Sequence, residues 1–174
     1  MYAVRLWSVR HAKGLNAFYR AFEKALIALH PLWNKIGYEK LEKPFEGVER
    51  VTKGFLFDCQ MCGQCALSST GMSCPMNCPK ELRNGPCGGV RANGNCEVNP
   101  EMRCVWVEAV AGSARMREGG AALHVVQFAV DRRLAGRSSW LAVAREGHCA
   151  DVESGHGQRK PSAKVGASRR APEL

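Results

Sequence analysis

The 174-residue chain has no run of about 18 apolar residues, which excludes a membrane-spanning helix. It contains no GxGxxG, no Walker loop, no GxSxG and no HExxH, so the usual nucleotide-binding, acyl-transfer and zinc-hydrolase signatures are missing. Its histidines, His11, His30, His124, His148 and His156, are scattered and show no catalytic spacing with a carboxylate. At this length a TIM barrel is excluded as well. Together these absences predict a chain that is not a self-sufficient enzyme. No acidic residue precedes Glu23, so the opening is basic and superficially like a leader. Charge is threaded through it, however, with no uninterrupted apolar region and no small-residue cleavage site behind one. It reads as part of the mature fold, with the cytoplasm as the default location.

The net charge of +9 is unevenly spread. Residues 1–53 hold ten Lys/Arg against five Asp/Glu, residues 54–112 four against five, and residues 113–174 eleven against six. A basic surface attracts nucleic acid, anionic membrane or acidic protein, and it also simply aids solubility. No helix shows a Lys/Arg stripe with interleaved stacking aromatics, so a nucleic-acid partner is not expected.

Against these absences stands one abundance. Eight of nine cysteines lie between residues 59 and 104: Cys59, Cys62, Cys65, Cys74, Cys78, Cys87, Cys96 and Cys104. They begin as CxxCxxC and continue with gaps of eight, three, eight, eight and seven residues. Eight thiols fill two four-ligand sites with none left over. The segment is rich in glycine and proline and poor in apolar runs, so whatever the sulfurs bind must hold it together. Disulfides are the weakest reading, since no secretory signal accompanies the cysteines. Two zinc ions in closed four-thiolate sites are a second; the segment has no histidine, which excludes Cys₂His₂. Two 4Fe–4S clusters are the third and favoured reading. CxxCxxC places three thiolates at three corners of a cube, Cys74-Pro75 and Cys78-Pro79 resemble the Cys-Pro element of ferredoxin motifs, and a remote cysteine supplies a fourth ligand. Cys59, Cys62 and Cys65 are expected to share one site with a later cysteine. Gly63, Gly71, Gly85, Gly88, Gly89 and Gly94 either bring backbone N–H groups to cluster sulfurs or make tight turns between ligands. The ninth cysteine, Cys149, lies beside His148 in a polar stretch and reads as a spare thiol.

The expected fold is mainly α: a small, cysteine-rich, metal-stapled two-site domain with flanking amphipathic helices and a disordered C-terminal tail. Four segments follow: a helical one over 1–54, the metal-binding core over 55–112, a helical and extended one over 113–147, and the tail over 148–174. Leu15, Phe18, Tyr19, Phe22, Leu26 and Leu29 recur at helical spacing and predict a helix over 8–30. This aromatic stripe either packs on its own domain or docks on a partner, with Trp7, Trp33 and Trp140 as further candidate anchors. Pro31 ends that helix and opens a short second one over 31–40. Pro44, Gly47 and Gly54 read as a connector leading to a short piece at Phe55–Phe57. Pro100-Glu101 suits the first turn of a helix that would carry Cys104 and Val105–Val110. Residues 122–134 read as extended. Ser138 or Ser139 caps a last helix that stops at Gly147.

The stretch DCQMCGQCALSSTGMSCPMNCPKELRNGPCGGVRANGNCEV, followed by MRCVWVEA, closely resembles the C-terminal family of methylenetetrahydrofolate reductases, the MetV-type module. The run TGxxCPxxCPKxLRNGPCGG, Thr70 to Gly89, is the most specific part. RLWSVRHAKGLNAFYRAFE, ALHPLW and VDRRLAGRSSW also look like stand-alone members, so the resemblance spans about residues 1–145. It implies a small metal-binding subunit, carrying 4Fe–4S or zinc, that supports a separate catalytic barrel subunit binding flavin and folate. In iron–sulfur members the implied role is electron delivery to the partner's flavin, with an electron-donor protein upstream.

Overall fold

A computed structural model describes residues 2–117, 119–124 and 126–153, with the backbone alone described over 148–153. Among the described residues there are six α-helices and no β-strand. They are α1 (Tyr2–Arg10), α2 (Ala12–Ala28), α3 (His30–Ile36), α4 (Tyr38–Phe57), α5 (Val105–Ser113) and α6 (Ser139–Glu153). The mainly α class expected from the sequence is what the structure shows. Among the described residues no helix is long and apolar enough to cross a membrane.

The N-terminal half folds as expected in kind but differs in its boundaries. The predicted 8–30 helix is two helices, with a turn at His11 between α1 and α2. Pro31 stops α2 because its ring would collide with the carbonyl four residues back. The ladder restarts from the Leu29 carbonyl, which accepts from Leu32 N (3.0 Å) and Trp33 N (3.1 Å). The expected connector over 41–58 is instead the longest helix, α4, with Pro44 in its interior. Its buried residues Glu49, Lys53 and Phe57 recur every fourth position, and tertiary packing on that face overrides the breakers. Asp58, in the left-handed region at φ 54°, closes α4 and turns the chain toward the first cysteine.

The C-terminal helices differ as well. α5 starts at Val105, not near Pro100, so Cys104 is its N-cap and not a helical residue. Residues 126–131 form no strand, and short 3₁₀ turns cover Gly119–His124 and Arg132–Leu134. Ser138 caps α6 as expected, its Oγ accepting from Leu141 N at 3.4 Å. Gly147 does not stop α6. A Cβ there would lie 2.5 Å from Ile27 Cδ1, so glycine serves the close approach of α6 to α2. The helix therefore runs to Glu153, into the stretch expected to lack structure; the remainder of that expectation, residues 154–174, lies outside the described residues, as does the side chain of Cys149.

Three apolar clusters hold the molecule together. One joins Ala12, Phe57, Leu67, Met72, Cys74 and Met116, and so buries a cysteine against α2 and the end of α4. A second joins Leu26, Trp140 and Ala144 with Phe22, Trp33 and Phe45 around them. The third packs Cys104, Trp106 and Ala109 against Val90, Val107 and Leu123. The cysteine segment therefore borrows its core from the helices on either side.

Candidate metal centre

The loop that carries the first cysteines is built by three left-handed residues. Asp58, Met61 and Gly63 have φ of 54°, 47° and 73°. Two of them carry side chains, and such outliers persist only where surrounding structure imposes them, commonly at ligand clamps. The turns wind Cys59, Cys62 and Cys65 around a cavity. Thr70 closes the next turn, its Oγ1 within reach of the carbonyls of Ala66 (2.8 Å) and Ser73 (2.7 Å). Ser73 Oγ then donates to Val105 O at 2.9 Å, fixing Cys74 against α5. This contact depends on two glycines in backbone touch. A Cβ on Gly112 would sit 2.0 Å from Gly71 O, and one on Gly71 would sit 2.3 Å from Ser113 N.

The result is that Cys59, Cys62, Cys65 and Cys74 line one cavity together with Lys53 and Arg83. Burial pushes the Cys74 thiol up to about 12, and the charges of Cys59, Cys65 and Cys62 push the same way. Burial likewise pushes Cys59 up to about 11, opposed by the Met61 amide and by Lys53. Both are neutral thiols near pH 7, and any metal they take must displace their protons. Backbone amides already point at two of these sulfurs. Met61 N donates to Cys59 Sγ at 3.4 Å, and the Met76 amide serves Cys74. The donor in each case is two residues beyond the cysteine and is not one of the glycines singled out from sequence.

The other four motif cysteines lie apart from this cavity's lining. Cys78 is half-buried and Cys87 exposed. Gly89 N donates to Cys87 Sγ at 3.4 Å, repeating the two-residue spacing, and the thiol faces Glu97 Oε1 at 3.7 Å. Cys96 and Cys104 are both buried and set by local bridges, with Cys96 N bonded to Met102 O and Cys104 N to Gly94 O, each at 2.9 Å. Among the described residues, no three His, Cys, Asp or Glu side chains converge closely enough to hold a single ion.

Two buried charges beside the cavity were not visible in the sequence. Lys53 and Glu49, 3% and 2% exposed, pair at 2.7 Å. Burial alone would lower Lys53, but Cys65 and Glu49 outweigh it and hold the ammonium above its ordinary value. Glu49 also accepts from Ser138 Oγ (2.7 Å), Ser139 Oγ (2.5 Å) and Trp140 N (3.3 Å), so one carboxylate of α4 caps the start of α6. The only sequence signal for this pair was its i,i+4 spacing. Arg83, 9% exposed, sends Nη2 to Gln64 O at 3.1 Å and Nη1 toward Cys62 Sγ at 3.9 Å.

The segment after α5 closes over the loop. Asp131 N donates to Gln64 Oε1 and Gly136 N to Met61 O, each at 2.8 Å. These contacts tie the chain after α5 back to the loop that carries the first cysteines. A family model described as methylene-tetrahydrofolate reductase C terminal matches residues 38–132. This chain belongs to that family. The match runs from the start of α4 through the cysteine segment to the strap at Asp131. No curated protein and no solved structure matches the chain.

The aromatic stripe of α2 is partly packed and partly exposed. Leu26 is buried, Phe22 meets Trp140 edge-on at 5.0 Å, and Trp33 meets Phe45 at 5.5 Å. Phe18 stays 72% exposed, and Trp7 is also exposed, stacked on His11. Phe18 borders a wide apolar groove of about 470 Å³ between α2 and α4, lined also by Leu15, Phe45, Val48 and Leu56. Lys53 and Leu67 line both this groove and the cysteine cavity.

Proposed function

We propose that this member of the methylene-tetrahydrofolate reductase C-terminal family is a non-catalytic subunit that holds two 4Fe–4S clusters and serves a separate flavin- and folate-binding reductase subunit. The observation that carries the reading is the arrangement of Cys59, Cys62, Cys65 and Cys74. They line one cavity together with the buried cations Lys53 and Arg83. Four thiolates are the ligand set a cubane takes, and the CxxCxxC spacing of Cys59, Cys62 and Cys65 supplies three of its corners. The Met61 and Met76 amides directed at Cys59 and Cys74 add the hydrogen bonds that stabilise cluster-bound thiolates.

In this reading Cys59, Cys62, Cys65 and Cys74 hold the first cluster, and Cys78, Cys87, Cys96 and Cys104 the second. Bound clusters supply one-electron transfer, here between an electron-donor protein and the partner's flavin. The chain's own part is to position the thiolates, to shield them under the Asp131–Gly136 strap, and to present a surface to the partner. Phe18, Val48, Val51 and Phe55, all more than half exposed, supply an apolar surface for that contact.

Anaerobic purification from cells that also make a reductase barrel tests the proposal. The expected product is a brown complex with absorbance near about 400 nm and about eight irons per chain. A colourless chain with two zinc ions, or one that never co-purifies with a folate-binding barrel, overturns it.

A further inference from the structure

Arg83 is a charged side chain in an unusual position. It is 9% exposed and lines the cavity of Cys59, Cys62, Cys65 and Cys74. Its Nε is buried without a hydrogen-bond partner, and no carboxylate pairs with it among the described residues. The other buried cation at this cavity, Lys53, is matched by Glu49 at 2.7 Å. A buried guanidinium left without an anion is strongly disfavoured. The groups it does meet are the Gln64 carbonyl and the Cys62 sulfur.

We propose that Arg83 is the built-in counter-cation of the four-thiolate site formed by Cys59, Cys62, Cys65 and Cys74. Four thiolates outweigh the positive charge of either a zinc ion or a cubane core, so the loaded site is net negative. Loading thus supplies, beside the Cys62 sulfur that Nη1 already approaches, the anion that Arg83 lacks. Arg83 acts on the metal through the Cys62 sulfur and the local field, as a positioning residue. With a cluster in the site, a fixed cation favours the more negative, reduced form and raises the reduction potential. That redox consequence rests on the iron–sulfur reading above; the counter-cation role does not.

The test uses the full chain, purified anaerobically as wild type, Arg83→Gln and Arg83→Lys. Gln keeps a planar donor without the charge, and Lys keeps the charge without the fork. Redox titration followed by electron paramagnetic resonance is expected to show a lower midpoint for one cluster in Arg83→Gln and most of the wild-type value in Arg83→Lys. The second cluster serves as reference. Unchanged midpoints in Arg83→Gln with full iron overturn the proposal. If Arg83→Gln loses iron, retention in Arg83→Lys supports the role of charge, and equal loss in both overturns it. If the wild-type chain holds zinc, the iron–sulfur reading fails and the counter-cation is judged by competition with a chelator. Affinity about 10- to 100-fold weaker in Arg83→Gln than in Arg83→Lys supports it, and equal affinity overturns it.

Discussion

Cys59, Cys62, Cys65 and Cys74 line one cavity, while Cys78, Cys87, Cys96 and Cys104 lie outside its lining, one of them exposed. The first group is held by tertiary contacts: the end of α4, the Gly71–Gly112 touch, the Ser73–Val105 bond and the strap at Asp131–Gly136. The cysteines of the second are held by short-range bonds within 75–104, and Cys104 also by its packing beside Trp106. Long-range packing positions thiols before any cofactor arrives; local turns leave more for the cofactor to organise. The two groups should therefore differ in how much of the fold depends on each.

On the proposed two-cluster reading, the largest effect is expected from removing a cysteine of the first group. Cys74→Ser should lose about half of the iron, about four atoms per chain, and should also loosen the cluster of Phe57, Leu67 and Met72 that the cysteine packs with. Cys87→Ser should lose a similar amount of iron while the helices keep their thermal stability, because Cys87 is exposed. Iron analysis and a circular-dichroism melt check both. Equal melts for the two variants break the contrast.

Next in size is the buried pair behind the first group. Glu49→Ala leaves the Lys53 ammonium buried and unpaired and uncaps α6, which is expected to destabilise the chain by about 3–5 kcal/mol. Replacing both partners with Met removes the orphaned charge and should recover much of the loss. Denaturant unfolding of the single and double variants measures this, and a mild single variant would mean the pair is not a structural pin. Smaller again, Gly112→Ala drives a Cβ toward Gly71 O and is expected to cost about 1–3 kcal/mol. Lower occupancy of the first site than of the second should accompany it.

Much of this architecture was legible because period and spacing are local signals. The apolar stripe of α2, the stop at Pro31 and the cap at Ser138 all lie within a few residues of what they control. The grouping of Cys59, Cys62 and Cys65 follows from their two-residue gaps. That Cys74 shares their cavity did not follow, because the Gly71–Gly112 contact joins residues far apart in the chain. α4 was hidden by Pro44, Gly47 and Gly54, whose local preferences lose to the burial of Glu49, Lys53 and Phe57. Arg83 and the Glu49–Lys53 pair look in sequence like ordinary surface charges; only burial marks them out.

The smallest expected effect is a difference in rate among thiols of the metal-free chain, and it probes the two groups without any cofactor. The thiolate is the reactive form, so a thiol with a raised pKa is mostly protonated and slow at pH 8. Cys74, buried and pushed up to about 12, and Cys59, pushed up to about 11, should both react with iodoacetamide more slowly than the exposed Cys87. The sign follows from burial: desolvation disfavours the thiolate, so raising the pH toward 10 should speed the labelling of both Cys59 and Cys74. Peptide mapping by mass spectrometry over a time course gives the order. Early labelling of Cys74 would show that the cavity opens when empty. The first group would then depend on its metal as much as the second does, and the distinction between packed and local ligands would fail.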